Sequence, residues 1–330
     1  MALWAGVDEA GYGPRLGPLV VAGTAFVLEE RVPPASLWDL LADAVARSAR
    51  GSDGRLVVSD SKKVYSPAVG LKRLEEGVLG FLGVSDETRR RRRRIRRAAD
   101  LFSLLQAEGA SPADPPPWFR NAADLDLPLE SNLSALRSKA AVLGQALRRN
   151  GVRMPCARAE VVLPLEFNRI VGLTRNKSFL LFQKCGLILQ ELWRRAGPGE
   201  SRVLVDRHGG RMRYRRLLLD AFPGCPCDVL EEGGERSSYR IAEADRSDRT
   251  LVVTFQENGE LHALPTALAS MTAKYVRELY MRAFNAYWQE RMEGLRPTAG
   301  YYGDAGRFLR DIAPLLRADG VPVESLVRRR

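Results

Sequence analysis

"GVDEAGYGPRLGPLVV", residues 6–21, sets two adjacent carboxylates, Asp8 and Glu9, at the end of an apolar stretch, then runs through a glycine-rich turn into a second apolar run. Residues 3–7 and 18–28 read as two strands joined by "GYGPRLG". Ionised carboxylates at the end of a buried strand need compensation, and a bound cation supplies it. Hard divalent cations take oxygen ligands, and a two-metal phosphodiester hydrolase draws three or four carboxylates from different elements. Beyond the strand pair, the candidates are Asp206, closing "RVLVD", and Glu278, on the helical "AKYVREL". Asp220 and Asp228 are nearby alternatives to Asp206.

Outward from the strand pair, the chain alternates strands and helices, which implies an α/β fold. Helical periodicity marks 70–83, 131–151, 176–197 and 263–292, the second ending at Gly151. Residues 159–168, 202–210, 227–233 and 250–261 read as strands, the last with an Asn-Gly turn. Between 85 and 110 the pattern predicts one long helix carrying "TRRRRRRIRR", followed by a proline-rich loop at 111–119. Residues 85–156 therefore read as a helical, arginine-rich insertion into a discontinuous core of 1–84 and 157–290, with 291–330 as a C-terminal segment.

The 330 residues suffice for one large core or a core with a subdomain. The composition is that of a soluble globular protein, with no apolar run of membrane-spanning length and no signal-peptide pattern at the start, so a cytoplasmic location is expected. Cys156, Cys185, Cys225 and Cys227 lack zinc-ligand spacing and read as reduced, mostly buried thiols. The net charge is +11, and the eight arginines of 89–97 account for all but +3 of it. Such a local concentration of cations points to phosphate contact, the other reading being a solvated helix face. His208, two residues past Asp206, reads as a polar turn residue or as a group at the mouth of a site.

Four stretches, in order, resemble the type 2 ribonuclease H family (ribonucleases HII and HIII): "GVDEAGYGPRLGPLVV", "DSKKV" at 60–64, "ALASMTAKYVREL" at 267–279 and "AGYYGDAGRFL" at 299–309. The match spans roughly 1–84 and 157–310. It implies a ribonuclease H-like fold, with a central mixed five-stranded sheet flanked by helices, and hydrolysis of the RNA strand of RNA–DNA hybrids with Mg²⁺ or Mn²⁺. By resemblance the four metal-binding, catalytic carboxylates are Asp8, Glu9, Asp206 and Glu278. The substrate contacts are Gly11, Tyr12 and Gly13 in the turn, Lys62 and Lys63, and Tyr301, with Tyr302 as its neighbour. The expected partner is a hybrid or a ribonucleotide-containing duplex, with no membrane association. Two positions depart from the family pattern. Tyr12 stands where the family has arginine, and Glu278 where it has aspartate. These departures motivate one rival reading, a nucleic-acid-binding protein of this fold with little or no turnover; a second rival is another ribonuclease H-like nuclease, acting on DNA.

Overall fold

The structure, a computed structural model, describes residues 2–28, 37–92, 94–106, 115–243 and 246–329. Its centre is a mixed seven-stranded sheet. In chain order the strands are β1 (Leu3–Ala10), β2 (Leu19–Leu28), β5 (Val152–Val162), β6 (Gly199–Asp206), β7 (Cys227–Glu232), β8 (Arg236–Glu243) and β9 (Arg246–Gln256), arranged β5-β2-β1-β6-β9-β8-β7. The short pair β3 (Val45–Ala46) and β4 (Leu56–Val57) lies apart from it. β2 folds back antiparallel on β1, with Asp8 opposite Ala22, whereas β6 runs parallel to β1 and β9 parallel to β6. The expected mixed, helix-flanked sheet is present. The β7–β8 hairpin beyond β9 takes it from five strands to seven, and β8 was not foreseen from sequence.

Strand periodicity of two sorts the residues between two helical layers. Ala5 and Val7 of β1 and Val21 of β2 face α8 (Pro164–Thr174), α9 (Lys177–Arg195) and α10 (Arg215–Ala221), where they pack with Phe182, Leu189 and Leu218. Trp4, Val20 and Phe26 face α3 (Lys72–Val84), α7 (Leu133–Arg149) and α11 (Leu264–Arg291). Each large side chain fully buried this way contributes about 1.5–3 kcal/mol. Gly6 is what seats α11 against β1, since a Cβ there would stand 2.1 Å from the Thr266 nitrogen. Thr24 Oγ1 donates to the Pro265 carbonyl (2.8 Å) and Thr266 Oγ1 to the Leu204 carbonyl (3.0 Å), which fixes the start of α11 over the sheet.

Two sequence expectations are corrected. The strand placed at 159–168 is β5, and it ends at Val162 because Pro164 opens α8 at a position where proline is well tolerated. The boundary at 156/157 therefore falls inside a strand of the main sheet. The arginine run is not one helix. α4 (Asp86–Arg91) ends at Arg92 in the left-handed conformation, and α5 (Ala98–Leu105) starts afresh after an extended stretch, with Asp100 accepting from the Arg96 and Arg97 amides. Consecutive like charges disfavour continued helix, and an acid in the new first turn restarts it. Residues 107–114, on which the end of the expected helix and most of the proline loop fall, lie outside the described residues, and Pro117–Arg120 forms the short helix α6.

The insertion is sewn into the core by buried acids. The Glu75 carboxylate of α3 accepts from the amides of Leu129 (2.5 Å), Glu130 (3.0 Å) and Ser131 (2.8 Å) and from the Tyr275 hydroxyl (2.7 Å). Glu87 pairs with Arg158 of β5 at 2.7 Å, both nearly inaccessible to solvent. At the C-terminal end, α12 (Tyr302–Ala318) packs Phe308 against Phe284, and Trp288 stacks on Trp118 of α6. The helix α1 (Leu37–Leu40) and the turn α2 (Ser61–Val64) complete the helices named here, and no described helix is long and apolar enough to cross a membrane.

Candidate metal centre

β1 and β6 are parallel neighbours, so their C-terminal ends lie side by side and bring Asp8, Glu9 and Asp206 together. One oxygen from each of the three carboxylates lies within 4.8 Å of the others. The exposed Asp220 and Asp228 take no part. Asp8 is 6% exposed and accepts from the Glu9 amide (2.6 Å), with Ser270 of α11 beside it. Ser270 Oγ is hydrogen-bonded to Ser61 Oγ (3.0 Å), tying α11 to the "DSKKV" turn. Asp206 Oδ1 accepts from the Gly259 amide at 2.9 Å.

The three acids strain against one another. Burial, then the Glu9 and Asp206 charges, raise Asp8 well above the ordinary carboxylate range. Burial and the Asp206 charge push Glu9 up to about 8, and burial lifts Asp206 to about 6. Lys62 opposes both of the latter shifts and thus faces the cluster. One ammonium does not balance three carboxylates, one buried and two partly buried, and this donor set of hard oxygens fits a divalent cation such as Mg²⁺ or Mn²⁺.

Glu278 stands outside the group. Its carboxylate is taken by Lys274 Nζ (2.7 Å), Arg277 Nη1 (3.3 Å) and the Tyr65 hydroxyl (2.9 Å). The acid that sequence reasoning missed is Glu260, on a short 3₁₀ turn (Gly259–Leu261) after β9. It is 9% exposed, and its charge raises Asp206. The signal was the Asn-Gly turn itself, which carries an acid back to the strand end occupied by Asp206.

The glycine turn is shaped from below. Gly11 has φ +87°, and a Cβ there would meet the Pro18 carbonyl at 2.5 Å and Arg277 Nε at 2.7 Å, so only glycine fits. Gly13 has open space around it. Arg277, 1% exposed, donates to the carbonyls of Leu16 (3.3 Å) and Ala299 (3.0 Å). Its guanidinium lies 5.9 Å from the ring centre of Tyr301, which is 52% exposed beside the half-exposed Tyr302. Gly300 accepts from the Arg15 and Leu16 amides, so the segment bearing Tyr301 is bonded directly to the turn. The tail joins this brace: Arg328, buried, donates to the Pro14 carbonyl, and burial followed by the Arg277 charge pushes it down to about 9. Neither arginine's supporting role was read from sequence.

Tyr12 is half-buried, with Lys177 Nζ 5.0 Å from its ring centre. A cation from the start of α9 thus stands beside the position where the family motif carries arginine. Lys63 is exposed one residue beyond Lys62. His208 is neither turn surface nor site mouth. It is 3% exposed among Phe182, Tyr214 and Phe255, and burial pushes it down to about 3.

No family model matches the chain, and no curated protein matches it. Among solved structures it is similar to a chain of the PCNA:RNase HII complex from Archaeoglobus fulgidus, at 17% identity and TM-score 0.40, over 99% of this chain and 94% of that one. It is similar to Bst-RNase HIII in complex with Mn²⁺, at 14% identity and TM-score 0.43, over 99% of this chain and 66% of that one. It is also similar to ribonuclease H2 from Pyrococcus horikoshii OT3, at 16% identity and TM-score 0.40, over 99% and 92% of the two chains. The structure itself shows a mixed sheet flanked by helices, with β2 antiparallel and β6 parallel to a central β1.

Proposed function

We propose that the chain is a divalent-metal-dependent endonuclease that hydrolyses the RNA strand of RNA–DNA hybrids. The observation that carries this reading is the convergence of Asp8, Glu9 and Asp206 at the ends of two parallel strands, uncompensated by any equal number of cations. These three residues would hold the metal, with Glu260 as the next carboxylate beside Asp206. A bound Mg²⁺ or Mn²⁺ supplies Lewis acidity for attack of water on a phosphodiester.

The chain's own groups do the rest. Lys62, whose charge acts on Glu9 and Asp206, and the exposed Lys63 next to it in sequence would attract the phosphate backbone. The Gly11–Gly13 turn exposes backbone to a sugar, where the 2′-hydroxyl distinguishes RNA from DNA. Tyr301 offers a ring and a hydroxyl beside that turn. The Glu9 and Gly259 amides hold the Asp8 and Asp206 carboxylates in orientation.

The test is a cleavage panel with purified protein and Mg²⁺: a uniform RNA–DNA hybrid, a duplex with embedded ribonucleotides, duplex RNA, duplex DNA and branched DNA. Cleavage confined to ribonucleotide-containing duplexes supports the reading. Binding without cleavage favours the inactive alternative, and cleavage of DNA alone favours the other.

A further inference from the structure

Away from the carboxylates, α3, α7, the α4 residues Thr88 and Arg89, and Arg94–Arg96 enclose a groove of about 560 Å³. Its floor is aliphatic, made by Leu79, Val84, Ile95, Leu133 and Leu136, and it opens to solvent at Gly83 and at Leu133, which is 38% exposed. Among the described residues, none in the lining is aromatic and none is acidic. Its rim carries Arg89, Arg94, Arg96, Arg137 and Arg148. Among the described residues, none of these five has a carboxylate within ion-pair distance.

Neighbouring arginines differ in this respect. Arg91 and Arg158 are matched by Glu87, and Arg97 by Asp126 at 3.7 Å. The rim cations are therefore a distinct set. Two of them also converge: Arg148 Nη1 and Arg89 Nη2 lie 3.6 Å and 3.8 Å from the point where a Cβ on Gly144 would stand. Like charges gathered over a side-chain-free position, with no anion supplied by the protein, present a ready seat for one.

We propose that this groove docks an acidic amphipathic segment of a partner protein, whose apolar residues fill the floor while its carboxylates meet the arginine rim. The charge complementarity fixes the sign of the partner, and the aliphatic floor fixes its class. A nucleic acid needs neither an aliphatic trough nor a rim set around one, and it gains from aromatic platforms, which this groove lacks. A helix or extended peptide with apolar anchors uses such a trough directly. Carboxylate–guanidinium contacts at the rim add specificity and association rate. The inference is independent of the nuclease reading, since it uses no residue of the carboxylate cluster or the glycine turn.

The test is selection of a random 16-residue peptide display library on the immobilised full chain, followed by fluorescence anisotropy of the enriched peptides. The expected peptides combine Asp or Glu with Leu, Ile or Phe at helical or alternate spacing. Arg137→Glu with Arg148→Glu should weaken their binding at least tenfold. Ala141→Trp, which fills the groove without changing charge, should do the same. Hybrid cleavage by both variants should match wild type. Enrichment of peptides without this pattern, failure to enrich any, or equal binding to both variants and wild type would overturn the proposal. So would loss of hybrid binding by the charge-reversed protein, which would make the rim a nucleic-acid contact.

Discussion

Replacing Asp8 with asparagine should stabilise the metal-free protein, and by more as pH rises. A carboxyl raised in the folded state contributes full stability below its unfolded value and loses it as pH climbs through the folded value. For Asp206 that window runs from 3.8 to about 6, and for Glu9 from 4.5 to about 8. Asp8 is raised further by burial and by both neighbours. At pH 8, Asp206 alone costs the folded state about 3 kcal/mol at about 1.4 kcal/mol per unit. The asparagine side chain keeps an acceptor oxygen for the Glu9 amide but carries no charge, so it removes the repulsion without a cavity. The ceiling on the change in its benefit is about 1.4 kcal/mol per pH unit, and shared titration among the three acids lowers it, so the gain at pH 8 should exceed that at pH 5 by no more than about 4 kcal/mol. The assay is urea denaturation of chelator-treated wild type and variant at both pH values. Taking the difference between the two proteins cancels groups common to both. Millimolar Mg²⁺ should stabilise wild type and act far less on the variant. A gain that does not change with pH would refute the reasoning.

Further outcomes follow from the site. Glu260→Gln should lower hybrid cleavage at least tenfold, whereas Glu278→Gln should change it less than about threefold, since Lys274, Arg277 and Tyr65 already occupy Glu278; single-turnover rates decide. The protein should cut a duplex with one embedded ribonucleotide more slowly than one with four. Tyr12→Arg should narrow that gap and Lys177→Ala widen it, as read by gel assay. His208 is held neutral, with a folded value of about 3, so it contributes stability above about 6.5 that is lost as pH falls towards 3. Replacing it with phenylalanine should flatten the fall in melting temperature between pH 7 and pH 4.

What the sequence made legible was local. The β1–β2 pair, with its acids at a strand end, is written in one contiguous stretch, residues 3–28, and Asp206 closes a short apolar strand whose end is equally plain. Helices α3, α7, α9 and α11 follow from periodicity and their stop residues. Glu278 reads as a ligand from family spacing when its neighbours are not weighed. A glutamate four residues after Lys274 and next to Arg277 already has ion-pair partners on its own helix. Glu260 escaped because an Asn-Gly turn reads as a hairpin, whereas the chain there makes one 3₁₀ turn into α11. The reading of 85–156 as an insertion rests on composition alone. The bonds that join it to the core, Glu75 to Leu129–Ser131 and Glu87 to Arg158, link residues more than fifty positions apart, and no local pattern announces them.

The measurement that bears most directly on the central claim is anomalous diffraction from crystals soaked in Mn²⁺. The account predicts a peak in contact with the carboxylates of Asp8, Glu9 and Asp206, and its disappearance in Asp8→Asn crystals. Absence of any peak there at millimolar Mn²⁺, or a peak held by other acids such as Glu278, would contradict it.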